Sequence, residues 1–134
     1  MHLIMKFENN WQFKTLENLE KKVWPQMQFS SHLITRTSEL RKVPLNEFSI
    51  EDLRIMIGQS ISLPYLVPLA IERLKENVLA EGDLYPGDLL AAVVSIENDF
   101  WEKQSTHKEE MKAIISDNLS TLSQNGLKLP KAFL

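Results

Sequence analysis

The chain has 134 residues, of which 43% are hydrophobic and 25% are charged, with a formal net charge of −3. These values are typical of one soluble globular domain that buries its own core. The chain contains no cysteine, which excludes disulfide frameworks and thiolate chemistry and fits a reducing cytoplasm.

The opening segment, MHLIMKFENN, lacks the long apolar core and the small-residue cleavage site of a signal peptide. The longest apolar run covers residues 61–71 and is too short to span a bilayer, which takes about 20 residues. We therefore expect a cytoplasmic protein without a membrane partner.

The first part of the chain predicts two helices. Apolar residues at helical spacing follow Thr15, a candidate N-cap, and Pro25 ends this helix because proline disfavours the α conformation of the residue before it. Residues 25–31 predict a loop. Residues 33–42 predict a second, short helix that Pro44 closes.

Ser49 marks the clearest helix start in the chain. Ser49 and Asp52 have the spacing of a capping box, in which each side chain accepts a hydrogen bond from the backbone of the other. Apolar residues then fall on one helical face up to Gly58. We expect this glycine to end the helix in the left-handed conformation.

The next segment predicts a central, mostly buried helix, because residues 63–75 are apolar on nearly every side up to Ile71. Pro64 and Pro68 cannot both occupy the first turn of one helix, so we expect a tight turn or a kink here. Asn77 is a suitable end for the helix.

Two further helices are predicted in the last part of the chain. Residues 81–88 predict a loop that feeds a helix, with Pro86 at its first position and Asp88 at the positive end of its dipole. A final helix begins near Thr106, which has capping-box spacing to an acid three residues on, and ends at Gly126.

Together these elements predict an all-α fold, a single compact domain of about five to seven helices over residues 1–134. We expect residues 1–14 and 126–134 to be less ordered than the rest. Only residues 3–7 leave room for a short strand.

Charge is distributed unevenly along the chain. The window 72–102 contains eight acidic and two basic residues, a net of −6, whereas residues 1–60 sum to +1 and residues 103–134 to +2. The window is either a solvated face or a docking surface for a basic partner, because clustered charge of one sign attracts partners of the other.

No catalytic pattern is apparent. The three histidines (His2, His32 and His107) do not have metal-ligand spacing, and no serine or glycine motif of a hydrolase or a phosphate site is present. Carboxylates of the loop 81–88 leave a small acidic hydrolase as an alternative, although such pairs occur by chance in any acidic loop. We predict no enzyme, no cofactor and no metal.

A helical DNA-binding regulator is the other alternative. Residues 33–58 have the helix count of a helix-turn-helix, and Arg36, Arg41 and Lys42 form a small basic cluster. However, the helix that would read the bases begins with acids, and the acidic window repels phosphates. We therefore expect no direct nucleic-acid partner.

Several motifs with fixed spacing lie between residues 33 and 101. They are Arg41 with Pro44-Leu45, Glu51-Asp52-Leu53-Arg54, Ile57-Gly58-Gln59, Tyr65, Pro68-Leu69-Ala70 and the block LAEGDLYPGDLL from Leu79 to Leu90. These motifs closely resemble those of the immunity proteins of bacterial contact-dependent growth inhibition (CDI) systems, the CdiI family.

The resemblance implies a cytoplasmic antidote that binds the C-terminal toxin domain of a cognate CdiA effector. Such toxins are often nucleases that act on tRNA. The resemblance also implies that the chain has neither enzymatic activity nor a cofactor. Because immunity proteins diverge where they meet different toxins, the shared residues, Tyr85 and Asp88 among them, are expected to hold the fold.

A nuclease toxin is a suitable binding partner for the acidic window, residues 72–102. The cleft that binds phosphates is cationic, so carboxylates on an inhibitor can occupy it and speed the encounter. Charge alone does not give tight binding, and we expect an apolar or aromatic anchor inside an acidic rim. The predicted toxin-binding residues are Glu72, Glu76, Glu81, Asp83, Glu97, Asp99, Trp101 and Glu102.

Overall fold

The computed structural model describes residues 7, 9–25 and 31–134. In these ranges the chain forms eight α-helices, three short 3-10 helices and no strand, which confirms the predicted all-α fold. Of the strand predicted at residues 3–7, only Phe7 is described, and the predicted loop 25–31 is described at its two ends alone. The chain comprises two compact units, residues 1–48 and 49–134.

The first unit contains two α-helices, α1 (Leu16–Glu20) and α2 (His32–Leu40), and 3-10 helices at Trp11–Phe13 and Leu45–Glu47. Hydroxyl caps begin both α-helices. The Thr15 hydroxyl accepts from the backbone of α1 at 3.1 Å, and the Ser31 hydroxyl accepts from that of α2 at 3.2 Å. The core of the unit is formed by Leu16, Leu40, Leu45 and Phe48.

Helix α1 is shorter than predicted. It ends at Glu20 because Lys21 adopts the left-handed conformation, with φ 53°, and Val23 is exposed. The physical reason is the side chain of Arg41. Its guanidinium donates to the Lys22 carbonyl at 3.0 Å and lies 4.5 Å from the centre of the Trp24 ring, so this segment leaves the helix to surround it.

The second unit begins with α3 (Ile50–Gly58) and α4 (Leu63–Glu76). The predicted capping box is present: Ser49 accepts from the Asp52 amide at 3.1 Å, and the Asp52 carboxylate accepts from the Ser49 amide at 3.0 Å. Gly58 does not take the left-handed conformation that we predicted. That conformation falls at Ser60, with φ 57°.

Helix α4 is buried as predicted, with seven residues in the core: Leu63, Leu66, Val67, Leu69, Ala70, Ile71 and Leu74. No turn interrupts it at the prolines. Pro64 lies in the first turn, where backbone N–H groups have no acceptor within the helix, so the missing N–H of proline costs nothing. Pro68 lies inside a continuous helix. Packing against α3, α5 (Asp88–Val94) and α7 (Ser105–Asp117) offsets the loss of the one backbone hydrogen bond that Pro68 cannot make.

The C-terminal part adds α6 (Asn98–Glu102), α8 (Leu119–Gln124) and a 3-10 helix at Lys131–Phe133. The single final helix that we predicted is therefore two helices. Asn118 separates them, because its side chain donates to the Ile114 carbonyl at 2.7 Å and its backbone leaves the helical conformation. None of the helices in the described ranges is long and apolar enough to cross a membrane.

Two predicted helix starts are displaced. Helix α7 begins at Ser105 without a side-chain cap, so the capping box predicted at Thr106 is not formed. Helix α5 begins at Asp88, after Gly87 in the left-handed conformation, so Pro86 lies in the preceding turn and not at the first helical position. The carboxylate of Asp88 explains this second displacement, because it binds the loop that precedes it.

Candidate functional site

The segment 77–87, which we call the acidic loop, joins α4 to α5 and is held by the side chain of Asp88. One oxygen, Oδ1, accepts from the Gly82 amide at 2.7 Å. The other, Oδ2, accepts from the amides of Leu84 at 3.0 Å and Tyr85 at 3.4 Å. Because Asp88 is itself buried, one carboxylate fixes the backbone of the loop at three points.

A second carboxylate holds the same loop from α3. Glu51 accepts from the Asp83 amide at 2.9 Å and binds Arg54 through two hydrogen bonds, at 2.6 Å from Nε and 2.5 Å from Nη2. Arg54 Nε lies 3.8 Å from Asp88 Oδ2. One arginine therefore stands between the two carboxylates and neutralises part of their charge.

Two glycines permit this close approach. A Cβ at Gly82 would collide with the Glu51 carboxylate and would lie 3.2 Å from the Glu51 Cα. Gly87 has φ 91°, and a Cβ there would lie 2.6 Å from a methyl group of Leu127. The Glu51–Arg54 and Gly82–Asp88 motifs, which carry the family resemblance, thus meet to hold the acidic loop.

The electrostatics of the pair follow from its geometry. The hydrogen bonds from Arg54 hold the pKa of the Glu51 carboxyl below its ordinary value of 4.5, against the opposing effect of burial, and the Asp83 amide adds to the lowering. The same hydrogen bonds raise the pKa of Arg54 further above neutrality. Both groups are therefore charged at physiological pH.

This lowered pKa predicts acid sensitivity. The unfolded chain protonates Glu51 near pH 4.5, before the folded chain does, so its contribution to stability is complete above that pH and is lost as the pH falls through the folded-state pKa. Near neutral pH we expect Glu51→Gln to lower the free energy of unfolding by about 1–2 kcal/mol. Urea titrations at a series of pH values should show this difference shrinking below pH 4.5.

Glu109→Gln is the control for that titration, because Glu109 is exposed and makes no ion pair among the described residues. We expect its effect on the free energy of unfolding to be small at every pH. A difference between wild type and Glu51→Gln that stays the same from neutral to acidic pH would contradict the assignment.

The seven acids of the predicted toxin-binding set are all exposed. They occupy three places: one face of α4, the acidic loop, and the region of α6. No ion pair in the described part of the chain involves any of these carboxylates. In chain order the acids are Glu72 and Glu76, then Glu81 and Asp83, then Glu97, Asp99 and Glu102.

Trp101, the eighth member of the set, is in a different environment. Its side chain is only 2% exposed and packs edge-on against Phe100 and Phe133, with ring centroids 5.1 and 5.3 Å away. It therefore holds α6 and the C-terminal 3-10 helix in the core of its unit. Among large apolar side chains, Leu84 and Tyr85 of the acidic loop are exposed instead.

Asp88 and His107, which belong to the titratable groups considered for chemistry, have structural partners. Asp88 is bound to the backbone of the loop, and His107 Nδ1 lies 3.1 Å from Glu110, which also pairs with Lys75 at 2.8 Å. Across residues 7, 9–25 and 31–134, no group of three or more His, Asp or Glu side chains is arranged to hold a metal ion.

The sequence did not reveal the Glu51–Arg54 pair or its contact with the acidic loop. Glu51 and the Asp83 amide are 32 residues apart in the chain, so no local pattern connects them. The available clue was that the motif on α3 and the motif on the loop both contribute to one family resemblance.

Comparison with known proteins gives one match. Residues 18–111 match a family described as CDI immunity proteins. The comparisons with curated proteins and with solved structures found no match. The matched range covers most of the chain and includes both the Glu51–Arg54 pair and the acidic loop. The chain therefore belongs to the CDI immunity proteins.

Proposed function

We propose that this immunity protein acts in the cytoplasm, where it binds the C-terminal toxin domain of a cognate CdiA effector and neutralises a basic nuclease, in particular one that cleaves tRNA. Membership of the family gives the immunity role, a toxin protein as the partner, and inhibition in place of catalysis. The nuclease class is what the family resemblance implies, and the charge of the chain supports it.

The exposed carboxylates of the acidic window, residues 72–102, support this inference. Seven carboxylates between Glu72 and Glu102 are exposed and lack ion-pair partners among the described residues, in a window with a net charge of −6. A nuclease needs a cationic cleft to bind phosphates. A surface of free carboxylates is the complement of such a cleft and increases the rate of association.

The acids are divided among three places, and we propose that each contributes to the toxin-facing surface. Protection of a cell requires tight binding, in the nanomolar range, or about −12 kcal/mol. The functional domain we propose is the whole of residues 1–134, because the family match crosses the boundary between the two compact units.

Charge reversal tests the proposal. The triple variant Glu76→Lys, Glu81→Lys and Glu102→Lys changes one exposed acid in each of the three places. We expect its association rate with the cognate toxin domain to fall by about 10- to 100-fold at low salt. Surface plasmon resonance at two salt concentrations measures this rate, and protection from toxin expression measures the consequence.

A matched triple variant, Glu47→Lys, Glu109→Lys and Asp117→Lys, makes the same change in net charge with exposed acids outside the window. We expect it to associate within about threefold of the wild-type rate. If the two triple variants associate equally fast at low salt, the acidic window is not the toxin-facing surface. If the wild-type chain does not inhibit nucleic-acid cleavage by the toxin domain, the nuclease class is wrong.

A further inference from the structure

A groove of about 500 Å³ lies in the second unit. One wall is formed by the end of the acidic loop and by α5, and the other by the segment 125–129 that follows α8. Most of the side chains that line it are apolar: Tyr85, Pro86, Leu90, Ala91, Val94, Leu127 and Leu129.

Exposed apolar surface continues from the groove onto the acidic loop. Tyr85, which lines the groove, is 44% exposed, and the preceding Leu84 is 62% exposed. The backbone amides of both residues are bound to Asp88, so the loop is fixed without help from either side chain. Two large apolar side chains are therefore presented to solvent on a loop held in one conformation, which lowers the entropic cost of binding.

The charges at this end of the groove are acidic. Glu81 and Asp83 are exposed on the same loop, within four residues of Tyr85. The opposite wall contributes one basic residue, Lys128. Since the surrounding window has a net charge of −6, the occupant that fits is apolar at its centre and basic at its edge.

We propose that the groove receives an apolar or aromatic side chain of the cognate toxin, which is flanked on the toxin by lysine or arginine residues that face Glu81 and Asp83. The proposal rests on the proposed function and assigns the apolar anchor of that interface. Leu84, Tyr85 and the groove supply this anchor, and the buried Trp101 does not. The expectation that the shared residue Tyr85 holds the fold then applies to its backbone amide, which is bound to Asp88, and not to its exposed side chain, which meets the partner.

A second copy of the chain fits the groove less well. In a symmetric dimer the acidic windows of two copies would approach one another, and a single Lys128 on each copy does not balance a net charge of −6 per window. Like charges that meet at an interface oppose association. A basic toxin has no such conflict.

The first test uses Leu84→Asp and Ala91→Phe. Leu84→Asp removes an exposed apolar side chain and adds a negative charge, so an interaction governed by charge alone would strengthen. Ala91→Phe places a large side chain in the groove that Ala91 lines. We expect each variant to bind the toxin domain at least about 10-fold more weakly by calorimetry, while urea titrations confirm that both variants are folded.

Ala113→Phe is the control, because Ala113 is exposed on α7 and does not line the groove. We expect this variant to bind as wild type does. If Ala91→Phe does not fold, Leu84→Asp alone decides the outcome, since the Leu84 side chain is mostly exposed.

The second test maps the contact directly. The chain has no cysteine, so a single Asn125→Cys substitution in the wall of the groove gives one thiol for alkylation. We expect the toxin domain to slow alkylation of this thiol at least about fivefold, as burial at an interface excludes reagent and solvent. Ser116→Cys, exposed on α7 and outside the groove, should react at the same rate with and without toxin.

The outcomes separate the two proposals. If the wild-type chain does not bind the toxin domain, the proposed function fails. If it binds but Leu84→Asp binds equally tightly and the Asn125→Cys thiol is not protected, the groove is not part of the interface. If the chain sediments as a dimer that Ala91→Phe converts to a monomer, the occupant is a second copy and the proposal is overturned.

Discussion

Replacing Asp88 with alanine is expected to lower the free energy of unfolding by about 3 kcal/mol. The substitution removes a buried acceptor that binds three backbone amides of the acidic loop, at 2.7, 3.0 and 3.4 Å. A hydrogen bond to a charged group contributes about 1.5–3 kcal/mol. The total stays below the sum of three such bonds because water reaches the exposed residues Leu84 and Tyr85 once the loop is released.

Two measurements check this expectation. Urea denaturation followed by circular dichroism gives the free energy of unfolding, and amide hydrogen exchange shows whether Gly82, Leu84 and Tyr85 lose their protection. Asp99→Ala is the matched control, because Asp99 is an exposed acid in the first turn of α6. We expect that variant to lose less than about 1 kcal/mol. Equal losses for the two variants would show that Asp88 does not hold the loop.

Release of the acidic loop in the Asp88→Ala variant should also weaken toxin binding, beyond the effect of the lower stability. Glu81, Asp83, Leu84 and Tyr85 belong to the loop and to the proposed toxin-facing surface, and Asp88 fixes their backbone. Release of the loop adds an ordering cost to binding. The Asp88 carboxylate is therefore a positioning residue for the proposed interface, although it is itself buried.

Local patterns account for the part of the fold that was predictable. The capping box at Ser49 was identified from the sequence because both partners lie within one helical turn. The burial of α4 was predictable because it depends on the side chains of one continuous segment. Predictions made from proline or glycine alone were less successful, as Pro86 and Gly58 show, because tertiary packing and neighbouring residues determine where a helix begins and ends.

The same distinction applies to the candidate site. Charge is a property of composition, so the acidic window was visible in the sequence and its seven acids are exposed. Burial is a property of the fold, so the sequence left open whether Trp101 belongs to the core or to an interface, and the structure packs it against Phe100 and Phe133. Nor did it reveal the groove, because the walls come from α5 and from residues 125–129, which are distant in the chain.

The first unit contains an ion pair of a buried arginine that no local sequence pattern indicates. The Arg41 guanidinium is 1% exposed and lies 2.6 Å from a carboxylate oxygen of Glu20. It also donates to the Lys22 carbonyl at 3.0 Å and lies over the Trp24 ring at 4.5 Å. Arginine suits this position because its planar group combines hydrogen bonding in its plane with stacking on its face.

Removal of the carboxylate partner is expected to be costly. Glu20→Ala removes a carboxylate that lies 2.6 Å from the buried Arg41 guanidinium, and we expect a loss of about 2–4 kcal/mol in the free energy of unfolding. This loss is smaller than that for a fully buried pair because the Glu20 side chain is 29% exposed, so water replaces part of the carboxylate's interaction with Arg41. Urea denaturation followed by tryptophan fluorescence and circular dichroism measures the loss.

Glu39→Ala is the control for Glu20→Ala, because Glu39 pairs at 3.4 Å with Arg36 on the surface of α2, and exposed pairs contribute about 0.5 kcal/mol or less. A double-mutant cycle isolates the buried pair. In an Arg41→Met background no buried cation needs compensation, so Glu20→Ala should then cost less than about 1 kcal/mol. A cost that is the same in both backgrounds would mean that Glu20 stabilises α1 by itself and that the ion pair contributes nothing.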